Sequence, residues 1–175
     1  MKLKRNYAKL YREHHATYEK HFSGKVSQAQ IREIRKLVEW SKPDRLLDYG
    51  SGKGYQYLEK RIHDQWGGLL PYCYDPGVLQ IGNKPDGTFG GVICTDVMEH
   101  IDPDDVDMIL ADIFGSLHQT GPVFAYFHIS TRLAGKVFDN GENVHLTVQP
   151  SSWWDAKLNR FETRPDLIIR ATYAD

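Results

Sequence analysis

The sequence predicts an α/β domain built around a mainly parallel β-sheet. Short apolar runs alternate with segments of helical periodicity, and a glycine-rich turn joins the first of these runs to a helix. No internal repeat or long flexible linker separates them. Because 175 residues are enough for one sizeable core, we expect a single domain over residues 1–175, with a helical arm at 1–25 and an α/β core at 26–175.

Several segments carry the spacing or the capping residues of helices. Residues 1–22 place Leu, Tyr and His side chains three and four positions apart, which predicts an amphipathic arm that packs on the domain or closes over a site. Ser27-Gln28-Ala29-Gln30 is a capping-box sequence, so a helix is expected to begin there and to end before Pro43. Three further helices are predicted. One spans 55–66 and is ended by Gly67-Gly68, one follows Asp102 as its cap, and one spans 150–158.

The predicted strands are short apolar runs at 46–49, 69–74, 91–95, 123–129 and 167–173. Cys73 and Cys94 fall in two of these runs, which we interpret as neighbouring strands. Both cysteines are expected to be buried free thiols, which favours the reducing cytoplasm. No run of about 18 apolar residues occurs, so no transmembrane helix and no membrane partner are expected.

The charge of the chain is nearly balanced but unevenly placed. A formal net charge of −1 gives no overall field that would attract nucleic acid or a membrane. Residues 1–25 are nevertheless basic, with seven Lys or Arg against two Glu. This arm is either a solvated helix face or a surface for an anionic partner such as nucleic acid.

A glycine-rich loop, Asp48-Tyr49-Gly50-Ser51-Gly52-Lys53-Gly54, follows the first predicted strand. Gly50 and Gly52 can adopt backbone angles closed to other residues and let the backbone approach a ligand closely. Gly54 allows the following helix to pack near the strand, and the start of that helix offers unpaired N–H groups. The spacing differs from the dinucleotide fingerprint, in which the third glycine comes three residues after the second.

An acid at the end of the second predicted strand narrows the class of ligand that the loop can be expected to bind. Asp75 can accept hydrogen bonds from both hydroxyls of a ribose, and its 27-residue distance from Asp48 suits one βαβ unit. The glycine loop and this acid together favour a ribose-bearing cofactor over a plain strand-to-helix turn.

These motifs resemble those of the class I S-adenosylmethionine-dependent methyltransferases. Leu46 to Gly54 resembles the first motif of that family, Tyr74-Asp75-Pro76 its second-strand acid, and Gly91 to Ile101 the fourth-strand motif of the branch that ends in Leu/Met-Glu-His. The resemblance implies a Rossmann-like fold that binds S-adenosylmethionine. The implied cofactor-binding residues are Asp48, Tyr49, Gly50, Ser51, Gly52, Gly54, Asp75 and Asp96, with the last beside the sulfonium.

One segment departs from the family pattern. Members usually have a helix and a third strand between the second-strand acid and the fourth strand, whereas only 15 residues separate Asp75 from Gly91. We therefore expect a shortened or missing third strand. Asp86 and the Ile81-Gly82 segment are the candidates for the residues that flank the adenine.

A second cluster, Asp96, Glu99 and His100, follows the strand at 91–95, and His145 supplies a fourth donor. Carboxylates and imidazoles of this kind can hold a divalent metal ion. The set resembles the metal ligands of the small-RNA 3′-terminal 2′-O-methyltransferases and the ubiquinone-pathway O-methyltransferases, in which the ion activates a hydroxyl oxygen. The alternative is that Glu99 and His100 form an internal hydrogen-bonded pair.

The sequence thus favours a methyltransferase that acts on an oxygen or nitrogen of a small acceptor. The four residues Asp96, Glu99, His100 and His145 are the candidates that orient or deprotonate the acceptor. Three alternatives stay open: a metal-assisted enzyme of the RNA 2′-O-methyltransferase type, a lyase or alkyl-transfer reaction on the same cofactor, and a non-catalytic cofactor-binding module.

Overall fold

The computed structural model describes residues 3–17 and 26–174, and within them the α/β class is confirmed. The five strands are β1 (Leu46–Tyr49), β2 (Tyr72–Tyr74), β3 (Gly91–Thr95), β4 (Val123–Ser130) and β5 (Leu167–Ala174). They form one sheet in the order β2-β1-β3-β4-β5, and every neighbouring pair is parallel. β1 is buried along its whole length, including Asp48.

Helices cover both faces of the sheet, as a parallel sheet requires. They are α1 (Tyr7–Thr17), α2 (Gln28–Ser41), α3 (Tyr55–Leu58), α4 (Val106–Gly115) and α5 (Ser151–Leu158), and 3₁₀ turns lie at Ile62–Trp66, Leu79–Ile81, Met98–His100 and Asn159–Phe161. One apolar core lies between the sheet and α2, and the other lies under α4 and α5. None of the helices in the described residues has both the length and the apolar character needed to cross a bilayer.

The capping box predicted at the start of α2 is confirmed. The Gln30 backbone N–H donates to the Ser27 side chain, and the Gln30 side chain accepts from the Ser27 N–H. α2 ends at Ser41, where Lys42 takes a left-handed conformation with φ 47° just before Pro43. Local sequence therefore sets both ends of this helix.

Several local predictions were wrong. The strand predicted at 69–74 begins only at Tyr72, and Cys73, expected to be buried, is half-buried. The single helix predicted at 55–66 is divided, because Arg61 adopts a left-handed conformation with φ 47° between α3 and the turn at Ile62–Trp66. Asp105, not Asp102, is the residue that precedes α4. Cys73 and Cys94 are free thiols, but β1 lies between their strands, so these strands are not neighbours.

The N-terminal arm is helical only in part of the predicted range. α1 spans Tyr7–Thr17, residues 3–6 precede it without helical structure, and the predicted helix from residue 18 to 22 lies outside the described residues. Tyr7 is buried in the core under α4 and α5. The arm therefore packs on the domain, as its apolar spacing predicts.

The expected loss of a third strand is confirmed, because only the short turn at Leu79–Ile81 lies between β2 and β3. β2 is consequently an edge strand. The chain leaves β1 toward β2 on one side and enters β3 on the other side, so the strand order reverses at β1. Ligands of open parallel sheets bind at such a switch point, beyond the carboxyl ends of the strands.

Candidate functional site

A cleft of about 1560 Å³ opens at this switch point. Its lining includes Gly50 and Ser51 after β1, Asp75 after β2, and Asp96 and Glu99 after β3. Sites for one small ligand usually measure about 300–1,000 Å³. The cleft therefore has room for two ligands side by side.

The glycine loop follows β1 with a backbone that only glycine adopts easily. Gly50 and Gly52 have φ values of 79° and 57°. A Cβ on Gly50 would lie 2.3 Å from a methyl carbon of Val97, so the loop also passes too close to the β3 end for any side chain. These two glycines line the cleft, whereas Gly54 lies behind it, where a Cβ would touch the Cys73 sulfur at 3.3 Å.

Asp75 is hydrogen-bonded to the glycine loop. Its Oδ2 accepts the Gly52 N–H at 2.9 Å, and its Oδ1 accepts the Gly77 N–H at 2.8 Å. The Tyr74 carbonyl also accepts the N–H groups of Gly50 and Ser51, at 2.7 and 3.1 Å. The two motifs that the sequence assigns to one cofactor thus form one continuous surface in the cleft.

Asp48 lies beneath this surface rather than in it. Its Oδ2 accepts hydrogen bonds from the Tyr57 hydroxyl at 2.7 Å and from the Gln56 amide at 3.1 Å. Burial raises the pKa of this carboxyl to about 7. The neighbouring Tyr49 does line the cleft, and its hydroxyl donates to Asp112 at 2.9 Å. Asp48 therefore holds α3 against β1 and does not contact the space where a ligand would bind.

Glu99, His100 and His145 form a compact group on the β3 side of the cleft. One ligand atom from each of the three lies within 4.8 Å of the others. Thr147, two residues after His145, donates its N–H to the Glu99 carbonyl at 2.9 Å and its hydroxyl to the Ile101 carbonyl. These contacts hold the loop that carries His145 against the turn that carries the other two residues. We call these three residues the triad.

Hydrogen bonds fix the orientation of both histidines. Nδ1 of His100 lies 2.9 Å from the Val144 carbonyl, and Nδ1 of His145 lies 2.7 Å from the Arg132 carbonyl. Because a carbonyl only accepts, each Nδ1 carries a proton, so in the neutral imidazole the lone pair is on Nε2. A backbone carbonyl at the far nitrogen is the usual support of a metal-binding histidine.

Glu99 is the buried member of the triad. Its Oε1 accepts the Ser130 N–H at 3.1 Å, whereas its buried Oε2 has no hydrogen-bond partner among the described residues. Burial raises the pKa of Glu99 to about 8, and the nearby charge of Asp96 adds to the effect. A buried carboxylate oxygen with no donor is unstable unless a proton or a cation neutralises it. Together with two oriented imidazoles, the Glu99 carboxylate fits a divalent cation such as Zn²⁺ or Mn²⁺.

Asp96 lies apart from the triad. It lines the cleft, but its side chain is half-exposed and its Oδ1 is 3.8 Å from Nε2 of His128. Its backbone takes the left-handed conformation with φ 56°, and its N–H donates to the His128 carbonyl at 2.9 Å. The structure thus brings together three of the four predicted metal ligands and leaves out Asp96, which lines the cleft beside His128.

Residues of the arm that were not predicted as site residues also line the cleft. The Tyr11 hydroxyl donates to the His100 carbonyl at 2.9 Å, and its ring meets the His100 ring edge to face at 5.9 Å. A Cβ on Gly77 would lie only 2.8 Å from the Tyr11 Cβ. The Tyr and His content of the arm was the available signal, but its spacing did not show which of them would reach the cleft.

Basic residues of the arm pair with acids of this chain. The Arg5 guanidinium donates two hydrogen bonds to Glu142 at 2.9 and 2.7 Å and one to Asp102 at 3.0 Å. The Lys4 ammonium contacts Asp102 at 3.1 Å and Asp104 at 2.8 Å. These charges hold the arm on the domain. Three other basic residues of the predicted arm, Lys2, Lys20 and Lys25, lie outside the described residues.

The chain matches no family model, no curated protein and no solved structure.

Proposed function

We propose that this protein is an S-adenosylmethionine-dependent methyltransferase that acts on an oxygen or nitrogen of a small acceptor. The observation that carries the proposal is the hydrogen bond from the Gly52 N–H to the Asp75 carboxylate, inside the switch-point cleft. This hydrogen bond joins the glycine loop and Asp75, the acid proposed to bind the ribose, into one surface, as a ribose-bearing cofactor requires. The parallel sheet supports the finer assignment to the Rossmann-like methyltransferase fold.

The order of the strands determines how a bound cofactor would lie across their carboxyl ends. Asp75 follows β2, the glycine loop follows β1, and Asp96 follows β3, so these groups lie on three adjacent strands about 4.8 Å apart. With its ribose at Asp75, the cofactor would extend its sulfonium over β1 toward β3. Asp96 would then place a negative charge beside the positive sulfur.

The triad gives the acceptor a binding position next to that methyl group. Glu99, His100 and His145 would hold a divalent ion, which would act as a Lewis acid on an acceptor oxygen. α1 covers this part of the cleft through Tyr11 and would help to exclude water. In-line transfer requires the acceptor atom, the methyl carbon and the sulfur to be held on one axis, which neighbouring sites in one cleft favour.

A small acceptor is favoured over nucleic acid. In the metal-assisted alternative the acceptor would be an RNA end, and the basic arm would be the surface that contacts it. Arg5 and Lys4, two of the four basic arm residues that the structure describes, are instead engaged with carboxylates of the same chain, whereas Lys9 and Arg12 are exposed. The free thiols Cys73 and Cys94 support the cytoplasm as the proposed location.

Titration calorimetry with S-adenosylhomocysteine tests the cofactor assignment. We expect saturable binding by the wild-type chain and a loss of at least about 10-fold in affinity for Asp75→Ala. Asp86→Ala is the matched control, because the expectation that Asp86 flanks the adenine was wrong: it is an exposed acid that does not line the cleft, whereas Gly82 does. The absence of heat at millimolar ligand would overturn the proposal.

The reaction class needs a second measurement. Incubation with S-adenosylmethionine alone, followed by chromatography, would detect methylthioadenosine or homoserine lactone if the protein were a lyase. Methyl transfer to a panel of small hydroxyl and amine compounds, with and without Mn²⁺ or Zn²⁺, separates an enzyme from a binding module. Saturable cofactor binding without any transfer across the panel would favour the non-catalytic alternative.

A further inference from the structure

A second, smaller cavity adjoins the cleft beside the start of α2, and we call it the side cavity. It measures about 410 Å³, which is within the usual range for one small ligand. Asp96 and Gln56 line both cavities, so the two spaces meet at these residues. The other described residues that line the side cavity are Val26, Ser27, Gln30, Lys60, Ile62 and His128. The side cavity is therefore separate from the glycine loop and from the triad.

His128 brings a hydrogen-bond acceptor to the side cavity. Its Nδ1 lies 2.9 Å from the Thr172 hydroxyl oxygen, and that hydroxyl donates its single proton to the Phe127 carbonyl at 3.3 Å. Nδ1 is therefore the donor to Thr172, and in the neutral imidazole the lone pair is on Nε2. Nε2 is 3.8 Å from Oδ1 of Asp96, which is too long for a hydrogen bond. The lone pair of Nε2 thus remains available to a ligand.

Two residues at the junction of the cavities add acceptor oxygens. The Asp96 side chain is 51% exposed, so its carboxylate is accessible to a ligand. The Gln56 amide donates from Nε2 to Asp48 at 3.1 Å and to the Ser51 carbonyl at 3.4 Å, and these two bonds fix its orientation. Its buried Oε1 has no hydrogen-bond partner among the described residues. Carboxylate, amide oxygen and imidazole nitrogen therefore all accept hydrogen bonds here.

The charges of the side cavity narrow its ligand further. An ammonium group is complementary to a set of acceptors, because it has three donors and no acceptor. Lys60, however, is an exposed residue that brings a positive charge to the same cavity. A simple amine would be attracted by Asp96 and repelled by Lys60, whereas a compound with one ammonium and one acidic group can pair with both. The lining therefore favours a small zwitterion.

We propose that the side cavity binds the amino-acid end of the methyl acceptor, with the ammonium group at Asp96 and His128 and the carboxylate at Lys60. The inference rests on the proposed function, because it takes the bound compound to be the acceptor. Asp96 belongs to both cavities, so the rest of the acceptor can extend past it into the main cleft, where the methyl group would lie. The substrate class is thus a small amino acid, and Lys60 and His128 determine specificity for it.

Nuclear magnetic resonance titrations of the wild-type chain test this assignment. The probes are the linear amino acids from glycine to 5-aminopentanoate, each compared with the amine and the carboxylic acid of the same carbon chain. We expect saturable binding by at least one amino acid, at least about 10-fold tighter than binding of its matched amine or acid, because each charged end adds a charge-assisted contact. The imidazole resonance of His128, assigned by its loss in His128→Gln, should shift during the titration.

Lys60→Gln removes a charge from an exposed side chain, so the fold is retained and the preference over the matched amine should fall to within about threefold. Lys42→Gln is the matched control, because Lys42 is exposed and lines neither cavity, and it should keep the full preference. No saturable binding by any amino acid of the series, or a preference that survives Lys60→Gln, would overturn the inference.

The titrations use the chain without cofactor, so their outcome is independent of cofactor binding. If S-adenosylhomocysteine binds and the amino acids do not, the side cavity is wrongly assigned and the proposed function stands. If the amino acids bind and S-adenosylhomocysteine does not, the proposed function is overturned, and with it the assignment of the bound amino acid as a methyl acceptor.

Discussion

The two sides of the cleft differ in how far their charges are satisfied within the chain. On the cofactor side, which is formed by the glycine loop and Asp75, both oxygens of Asp75 accept backbone N–H groups. On the triad side, one oxygen of Glu99 is buried without a donor among the described residues, and burial raises the pKa of that carboxyl to about 8. The surface of the first side is complete before a ligand arrives, although Asp48 beneath it also has a buried Oδ1 with no partner among the described residues, whereas the surface of the second requires a proton or a cation. This difference leads to predictions that affect one side and leave the other unchanged.

The largest effect is expected on metal binding. His145→Ala removes one imidazole of the triad and should weaken the binding of Zn²⁺ or Mn²⁺ by at least about 100-fold, since even the loss of an outer-sphere partner costs about 10–100-fold. Its effect on S-adenosylhomocysteine affinity should stay within about threefold, because His145 does not touch the glycine loop. Metal titration by calorimetry measures the first quantity and cofactor titration the second.

His118→Gln is the control for that experiment. His118 pairs with Asp44 outside the cleft, so its loss should change neither affinity. An equal loss of metal and cofactor binding in His145→Ala would contradict the independence of the two sides.

The next effect is on the pH dependence of stability in the presence of a chelator. A carboxyl whose pKa is raised in the folded chain binds its proton more tightly there than in the unfolded chain. The free energy of unfolding therefore falls as the pH rises from the ordinary range of Glu toward about 8, and is level above that. Glu99→Gln should remove on the order of 3 kcal/mol of this dependence, as judged from urea unfolding at pH 5 and pH 9.

Asp48→Asn offers a second buried acid for comparison. The pKa of the Asp48 carboxyl is raised to about 7 in the folded chain. Its contribution to the pH dependence of stability should therefore end about one pH unit below that of Glu99. A wild-type chain whose stability rises between pH 5 and pH 8 would falsify the assignment of these shifts to burial.

A smaller effect is expected on the cofactor side. Asp75→Asn replaces one carboxylate oxygen by an amide N–H, which would then face the N–H of Gly52 or of Gly77. Loss of one of these hydrogen bonds should lower the free energy of unfolding by about 2 kcal/mol and weaken S-adenosylhomocysteine binding. Metal affinity should not change. If thermal unfolding and metal binding both shifted in this variant, the two sides would be coupled.

The same contrast explains what could be predicted from the sequence. The cofactor side depends on short local patterns, and the strands at 46–49 and 91–95 were predicted at their exact bounds because each is a short, mainly apolar run between turns. The capping box of α2 is equally local. Such features depend on neighbours a few residues away.

The predictions that failed depend on distant or unusual backbone geometry. Arg61 takes a left-handed conformation that no glycine signals, so the break in the predicted helix was not visible. β1 inserts between the strands of Cys73 and Cys94, which only the strand order reveals. Asp96 is separated from the triad by its own left-handed backbone, although it is three residues from Glu99 in the sequence. The cover provided by Tyr11 likewise depends on a contact across 89 residues.

The smallest predicted effect concerns α1, which touches both sides of the cleft through Tyr11. Tyr11→Phe removes the hydrogen bond to the His100 carbonyl and keeps the ring, so stability should fall by about 1 kcal/mol and both ligand affinities should change by less than about threefold. Tyr11→Ala also removes the ring that packs against His100 and near Gly77. If α1 only covers the cleft, the alanine variant loses stability alone, whereas weaker binding of both metal and cofactor would mean that the helix links the two sides. Tyr55→Phe, at a tyrosine outside the cleft, is the matched control, and urea unfolding with the two titrations distinguishes the outcomes.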